Sequence, residues 1–251
     1  MTVRTAALVG TVGGAGTTRT AVELAGALAR TGRSVLVFDL DFATQGLARS
    51  VGGRIDPDAT AVLTDPDLAV TDAAVPWKVP GEGRLDVLPA FAPFVDVAAA
   101  KAAEAAERVG DRFREATGAY DHVVADVPPV VSNQAIAGVD AADRVAAVFP
   151  GTDRGVDSLQ RTRGRLADVD SELHVGLATR TTPADAPADA DATIPPLPAP
   201  PAPDRPTALE ANSSHHGPIA AAAEAVFEVD LPTDRPAAGR RLLDRARDLI
   251  E

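Results

Sequence analysis

Two carboxylates one residue apart, Asp39 and Asp41, follow the apolar run Val35–Phe38, and a third, Asp126, ends the run His122–Ala125. Acidic groups at the ends of apolar strands are the oxygen ligands a magnesium ion takes beside a phosphate. The phosphate-holding element precedes them. Residues 10–18 read Gly-Thr-Val-Gly-Gly-Ala-Gly-Thr-Thr, behind the apolar run Thr5–Val9. After it, Ala21, Leu24, Ala25, Leu28 and Ala29 recur at helical spacing. Strand, glycine-rich turn and helix form a phosphate cradle, because glycines let the backbone curl and turn its N–H groups towards an anion at the helix N-terminus. Gly13, Gly14, Ala15, Gly16, Thr17 and Thr18 are the candidate nucleotide-binding residues. A phosphate loop of this frame normally ends Gly-Lys-Ser/Thr, the lysine on the outer phosphates and the hydroxyl on magnesium. Here Thr17 stands in the lysine position and Thr18 in the hydroxyl position.

These pieces need strands to carry them. Strands are predicted at Thr5–Val9, Ser34–Asp39, Arg84–Leu88, His122–Asp126, Arg144–Phe149 and Leu173–Ala178. Helices are predicted at Arg19–Arg30, Val97–Thr117, Gly155–Val169 and Ile219–Val229. The alternation predicts an α/β fold with a doubly wound, mostly parallel sheet flanked by helices. Ligands of such sheets bind where strands emerge at their carboxyl ends, and Asp39 and Asp41 are expected to project there, towards the glycine loop. Residues 52–83 show no sustained period and are expected to wrap the surface in short elements.

The nine prolines of residues 183–206 predict an extended, mobile insertion in a domain spanning 1–232. A C-terminal amphipathic helix is expected within 233–251, with Leu242, Leu243, Ala246, Leu249 and Ile250 on one face. Packing on its own domain, docking on a partner and peripheral membrane contact through 237–251 are all open to it. Trp77, Phe91 and Phe94 are expected to cover core edges.

The chain has 251 residues, a net charge of −12 and no cysteine, which excludes disulfides and thiolate metal sites. With no leader-like start and no long apolar run, it is expected to be cytoplasmic. Only Lys78 and Lys101 are lysines, and Asp far outnumbers Glu. That balance resembles the proteins of salt-adapted archaea. At 1 M salt the Debye length is about 3 Å, so long-range attraction to anions is weak and DNA binding is not expected. Arg154, Arg161, Arg163 and Arg165 fall on one predicted helix but are flanked by Asp153, Asp157 and Asp168, which favours a solvated face.

The three motifs together resemble those of the MinD/ParA group of deviant Walker-A P-loop proteins, whose loop reads Lys-Gly-Gly-x-Gly-Lys-Thr. Gly13, Gly14, Gly16 and Thr18 match that frame, Asp39-Leu40-Asp41 is similar to its Asp-x-Asp element, and Asp126-Val127-Pro128-Pro129 to its Asp-Thr-Pro-Pro element. The likeness extends to about residue 229. It implies ATP and Mg2+ as ligands, Asp41 as the catalytic residue that orients the attacking water, Thr18, Asp39 and Asp126 around the metal, and a homodimer that positions cargo.

Three positions depart from the pattern. Val12 replaces a signature lysine that reaches the partner's nucleotide, Thr17 replaces the loop lysine, and Thr179-Arg180 replaces an Asn-Arg pair whose asparagine reads adenine. One well-placed cation is worth about 10³–10⁵ in phosphoryl-transfer rate. Weak or absent ATP binding and lost or slow hydrolysis are therefore expected. The chain then acts as a pseudo-ATPase scaffold for division, partitioning or surface-appendage machinery. The alternative is a dimerisation switch that hydrolyses ATP. Arg19 is a weak candidate for a substitute cation, since one residue along a helix turns the side chain about 100° away.

Overall fold

A computed structural model describes residues 3–199, 204–210 and 213–232. The strands are β1 (Thr5–Gly10), β2 (Ser34–Asp39), β3 (Val75–Trp77), β4 (Arg84–Leu88), β5 (His122–Val127), β6 (Arg144–Pro150), β7 (Val175–Thr179) and β8 (Ala192–Ile194). They form one sheet in the order β3-β4-β2-β5-β1-β6-β7-β8. Every pairing is parallel except that of β3 with β4. β1 and β5 are buried along their whole length, so they read as continuous apolar runs rather than alternating ones.

The helices are α1 (Thr17–Ala29), α2 (Ala59–Thr64), α3 (Val70–Ala73), α4 (Phe94–Ala100), α5 (Ala103–Ala106), α6 (Val109–Ala119), α7 (Asn133–Ala141), α8 (Asp153–Ala167) and α9 (His216–Phe227). The pleat sends Ala6 and Leu8 of β1 to the layer that holds α1 and α9, and Ala7 and Val9 to the layer under α6 and α7. The expected doubly wound sheet with both faces covered is the observed one.

Two expectations differ. The predicted helix Val97–Thr117 is three pieces, α4, α5 and α6, although no proline interrupts it. Ala102 is extended (ψ 154°), the Lys101 carbonyl accepts from Asn133 Nδ2 (3.0 Å), and Arg108 and Arg112 reach across to the carbonyls of Leu63, Val62 and Asp65. Asn133 thus takes a backbone carbonyl a continuous helix would have used, while Arg108 and Arg112 tie the segment to residues 62–65. The second difference lies in the proline-rich segment. Inside it, β8 pairs in parallel with β7, Thr179 opposite Ile194. Residues 206–209 then lie against α1, where a Cβ on Gly26 would come within 3.3 Å of both Pro206 and Ala208.

The link between that segment and α1 is a buried carboxylate. Glu23 is fully buried on α1. Its Oε1 accepts from Thr207 N (2.9 Å) and Arg19 Nε (2.6 Å), and its Oε2 from Ala208 N (2.6 Å). Arg19 Nη2 also donates to Thr207 Oγ1 (2.6 Å). A buried charge persists when such bonds replace its hydration. The expected C-terminal helix of 233–251 lies outside the described residues.

Replacing Glu23 by alanine leaves two backbone N–H groups and Arg19 without their acceptor, at a cost of about 3–5 kcal/mol. For a chain of this size the melting temperature should fall by roughly 6–20 °C, as read by circular dichroism. A fall of only a degree or two would show that water replaces the clamp.

Candidate functional site

The glycine loop joins β1, near the middle of the sheet, to α1. Gly14 (φ 75°) and Gly16 (φ 94°) sit in the left-handed region that only glycine enters cheaply. Gly16 is the N-cap of α1 and supplies no side-chain cap, so the first-turn N–H groups stay available to an anion. A Cβ on Gly13 or Gly14 would meet no atom within 4 Å, which leaves the cradle open. The loop is held from β7: Thr179 Oγ1 donates to Ala15 O (2.8 Å) and Arg180 Nη2 to Gly14 O (2.6 Å).

The carboxylates arrive by register. Asp126 of β5 lies opposite Leu8 of β1 on one side and Asp39 of β2 on the other. Both acids are essentially solvent-free. Asp39 Oδ1 accepts from Asp41 N (2.8 Å) and Oδ2 from Ala90 N (3.2 Å), so it organises the turns after β2 and β4. Burial first, and then the Asp126 charge, hold its carboxyl well above the ordinary range. Asp126 accepts from the Thr18 hydroxyl, yet burial pushes its pKa up to about 7, with the Asp41 charge adding to the rise. Its Oδ2 is buried with no hydrogen-bond partner. Asp41 is partly exposed and accepts from Thr44 Oγ1 (2.6 Å). Of the three acids expected to face the loop, Asp126 carries the unengaged buried oxygen, Asp41 faces its own turn, and Asp39 is tied to backbone.

The open cradle and the orphaned Asp126 oxygen fit a magnesium–phosphate group. Thr18 and Asp126 would hold the ion, Asp39 would add charge behind them, and the ion would supply charge neutralisation for phosphates. Among the described residues no three acidic or histidine side chains form a self-sufficient metal site. Mg2+ bound through one or two carboxylates plus phosphate and water needs none.

The cation positions are empty in a specific way. Val12 packs against the core beneath α1. Thr17 Oγ1 lies 2.6 Å from where a Cβ on Gly10 would stand, turned back to the start of the loop. Arg19 is neither a phosphate ligand nor a free surface arginine, because Glu23 and Thr207 hold it. Sequence reading missed that clamp, since its partners lie 184 and 188 residues apart.

Trp77 covers a core edge as expected, but Phe91 and Phe94 do not: they are 60% and 83% exposed. Val95 and Val131 are exposed beside the ends of β4 and β5 as well. Their local pattern resembles a core-facing one, but only tertiary placement shows that no element among the described residues covers it. On α8, Arg154, Arg161, Arg163 and Arg165 are exposed as expected, and Arg163 pairs with Asp189 (3.0 Å). His216 meets Arg30 and opens α9. No helix among the described residues is long and apolar enough to cross a membrane.

A glycine cradle at a helix N-terminus, with strand-end carboxylates in register beside it, defines a P-loop nucleotide-binding protein. A family model described as an AAA domain matches residues 3–174, and the chain belongs to that family, within the MinD/ParA group of P-loop proteins. It is similar to the chromosome partitioning protein ParA of Caulobacter vibrioides, 31% identical over 178 residues, 65% of each chain. The match thus spans somewhat under two thirds of that relative. The fold is similar to that of the cell division ATPase MinD of Pyrococcus furiosus (TM-score 0.70, 20% identity, 90% of this chain and 99% of that one). It is also similar to the septum site-determining protein MinD of Pyrococcus horikoshii complexed with Mg-ADP (TM-score 0.69, 19% identity, 94% and 98%).

The raised Asp126 pKa has a definite sign. A carboxyl that ionises near 7 when folded and near 3.8 when unfolded contributes stability at low pH that is lost as pH rises from about 4 to about 7. Above that window the loss is at most about 4 kcal/mol, at about 1.4 kcal/mol per unit. Asp126→Asn should therefore melt higher than the parent at pH 8 in the presence of a chelator, with the gap closing towards pH 4. The parent should regain stability with Mg2+ and pyrophosphate, and the variant should not. Equal melting curves at pH 8 would contradict this assignment.

Proposed function

We propose that the protein is a dimeric positioning or scaffold factor, serving cell-division, partitioning or surface-appendage machinery, in which ATP hydrolysis is lost or slow. The observation that carries the reading is the fate of the cation positions. Val12 is half-buried against the core, Thr17 turns back on Gly10, and Arg19 is tied to Glu23. Backbone amides, the α1 dipole and the Asp126–Thr18 pair remain, so phosphate binding survives better than turnover. The relatives' names, a partitioning protein and septum or division proteins, support the positioning role.

Dimerisation has its own support. Phe91, Phe94, Val95 and Val131 are exposed beyond the carboxyl ends of β4 and β5, the edge that also carries the cradle. Large exposed apolar groups gathered on one edge mark a protein interface. A second copy placed there would cover them and face the nucleotide site. We keep as the second reading a switch that hydrolyses ATP with a cation from a partner; the intact carboxylate set favours it.

Titration of Mg-ATP into the purified chain at high KCl should give weak binding, with phosphate release no faster than the no-protein control. Thr17→Lys should tighten binding by about tenfold, close to 1.4 kcal/mol. Turnover by the parent chain would remove the pseudo-ATPase reading in favour of the switch. In light scattering, Phe94→Asp should convert dimer to monomer without lowering the melting temperature, because Phe94 touches little of its own fold. A parent chain that is monomeric with and without nucleotide would refute the dimer.

A further inference from the structure

The β6–β8 side of the cradle takes no part in the chemistry above. In a doubly wound sheet the ligand lies across the carboxyl ends of the strands. Asp39, Asp41 and Asp126 occupy the β2–β5 side of the loop, so the rest of a bound nucleotide extends over β6, β7 and β8. Thr179 ends β7 opposite Ile194 at the end of β8. Residues 180–182 and 195–198 therefore emerge at that edge, and Pro198 O lies 3.3 Å from Arg19 Nη2 at the start of α1. These two segments are the walls a base would meet.

Reading a base requires donors and acceptors in fixed places. A site that hydrogen-bonds a ligand group rejects the analogue lacking it by about 10⁴–10⁵. The side chains of these walls are already engaged or apolar. The single Thr179 proton goes to Ala15 O (2.8 Å), and Phe149 O crowds the same hydroxyl (3.2 Å). What Thr179 presents towards the loop is its methyl, 4.0 Å from a Cβ position on Gly16. Thr181 is buried, and its N–H points to Ile194 O (3.4 Å). After β8, Pro195, Pro196 and Pro198 have no N–H at all. Arg180, left-handed at φ 57°, lays its guanidinium across the loop onto Gly14 O. A planar guanidinium stacks on any aromatic face without regard to its edge.

We propose that the cradle takes magnesium polyphosphates without discriminating the base, Arg180 and the prolines giving a nucleotide only a stacking wall. This rests on the reading that the cradle still binds phosphate, which the orphaned Asp126 Oδ2 beside Thr18 supports.

The test is calorimetric titration of the full chain with the Mg2+ complexes of ATP, GTP, CTP and inorganic tripolyphosphate in one buffer. The three nucleotides should bind within about threefold of one another, a spread under about 0.7 kcal/mol. Arg180→Ala should weaken all three by a similar factor, over and above any loss it causes for tripolyphosphate through the freed Gly14 carbonyl. A preference of about thirtyfold or more for ATP over GTP would overturn the inference while leaving phosphate binding intact. So would an Arg180→Ala loss confined to ATP. Failure of all four ligands, tripolyphosphate included, at millimolar concentration would overturn the phosphate-binding reading, and the inference with it.

Discussion

The register of three adjacent parallel strands is the constraint on which everything else depends. β1 lies between β5 and β6, and β5 between β1 and β2, so the end of β1, where the glycine loop begins, falls beside Asp126 and then Asp39. Parallel strands need crossovers, and crossovers that bury their helices on both faces leave the strand ends as the place where polar groups meet solvent. A slip of one residue would turn Asp126 from the Thr18 side into the opposite layer. The apolar residues flanking it, Ala125 and Val127 in one layer and Val124 in the other, oppose that slip.

Charge is distributed around this frame in an uneven way. The carboxylates at the strand ends are buried, and desolvation first, then the charge of a neighbouring carboxylate, raise the pKa of Asp39 and Asp126. The basic half is absent from the loop. The arginine that follows the loop serves a structural purpose, joining α1 to the segment after β8 through Glu23. Two buried carboxylates that are costly to ionise, with no cation beside them among the described residues, would gain from a divalent ion.

The proline-rich segment is part of the same architecture. It begins past β7, contributes β8, and returns against α1, where the Glu23 carboxylate holds Thr207 and Ala208. Beyond β4 and β5, the exposed Phe91, Phe94, Val95 and Val131 give that edge an apolar character unlike the acidic surface elsewhere.

Much of this was legible from residue order. Long buried strands read as apolar runs, the glycine spacing demands left-handed turns, and acids at strand ends have one reason to be there beside such a loop; the boundaries of β2 and β4 match the predicted ones. The sequence alone also shows that the lysines are missing. Other features depend on contacts between distant residues. The break in the Val97–Thr117 helix arises because Asn133 takes a helix carbonyl, β8 is too short to carry a periodic signal, and Phe91 and Phe94 look like core until they are seen exposed. Arg19 shows the division most clearly. Its position beside the loop is written in the sequence, but its partners lie 184 and 188 residues apart in the chain from Glu23 and from itself. Local pattern decides which groups are available to a site, and only packing decides which of them are already engaged.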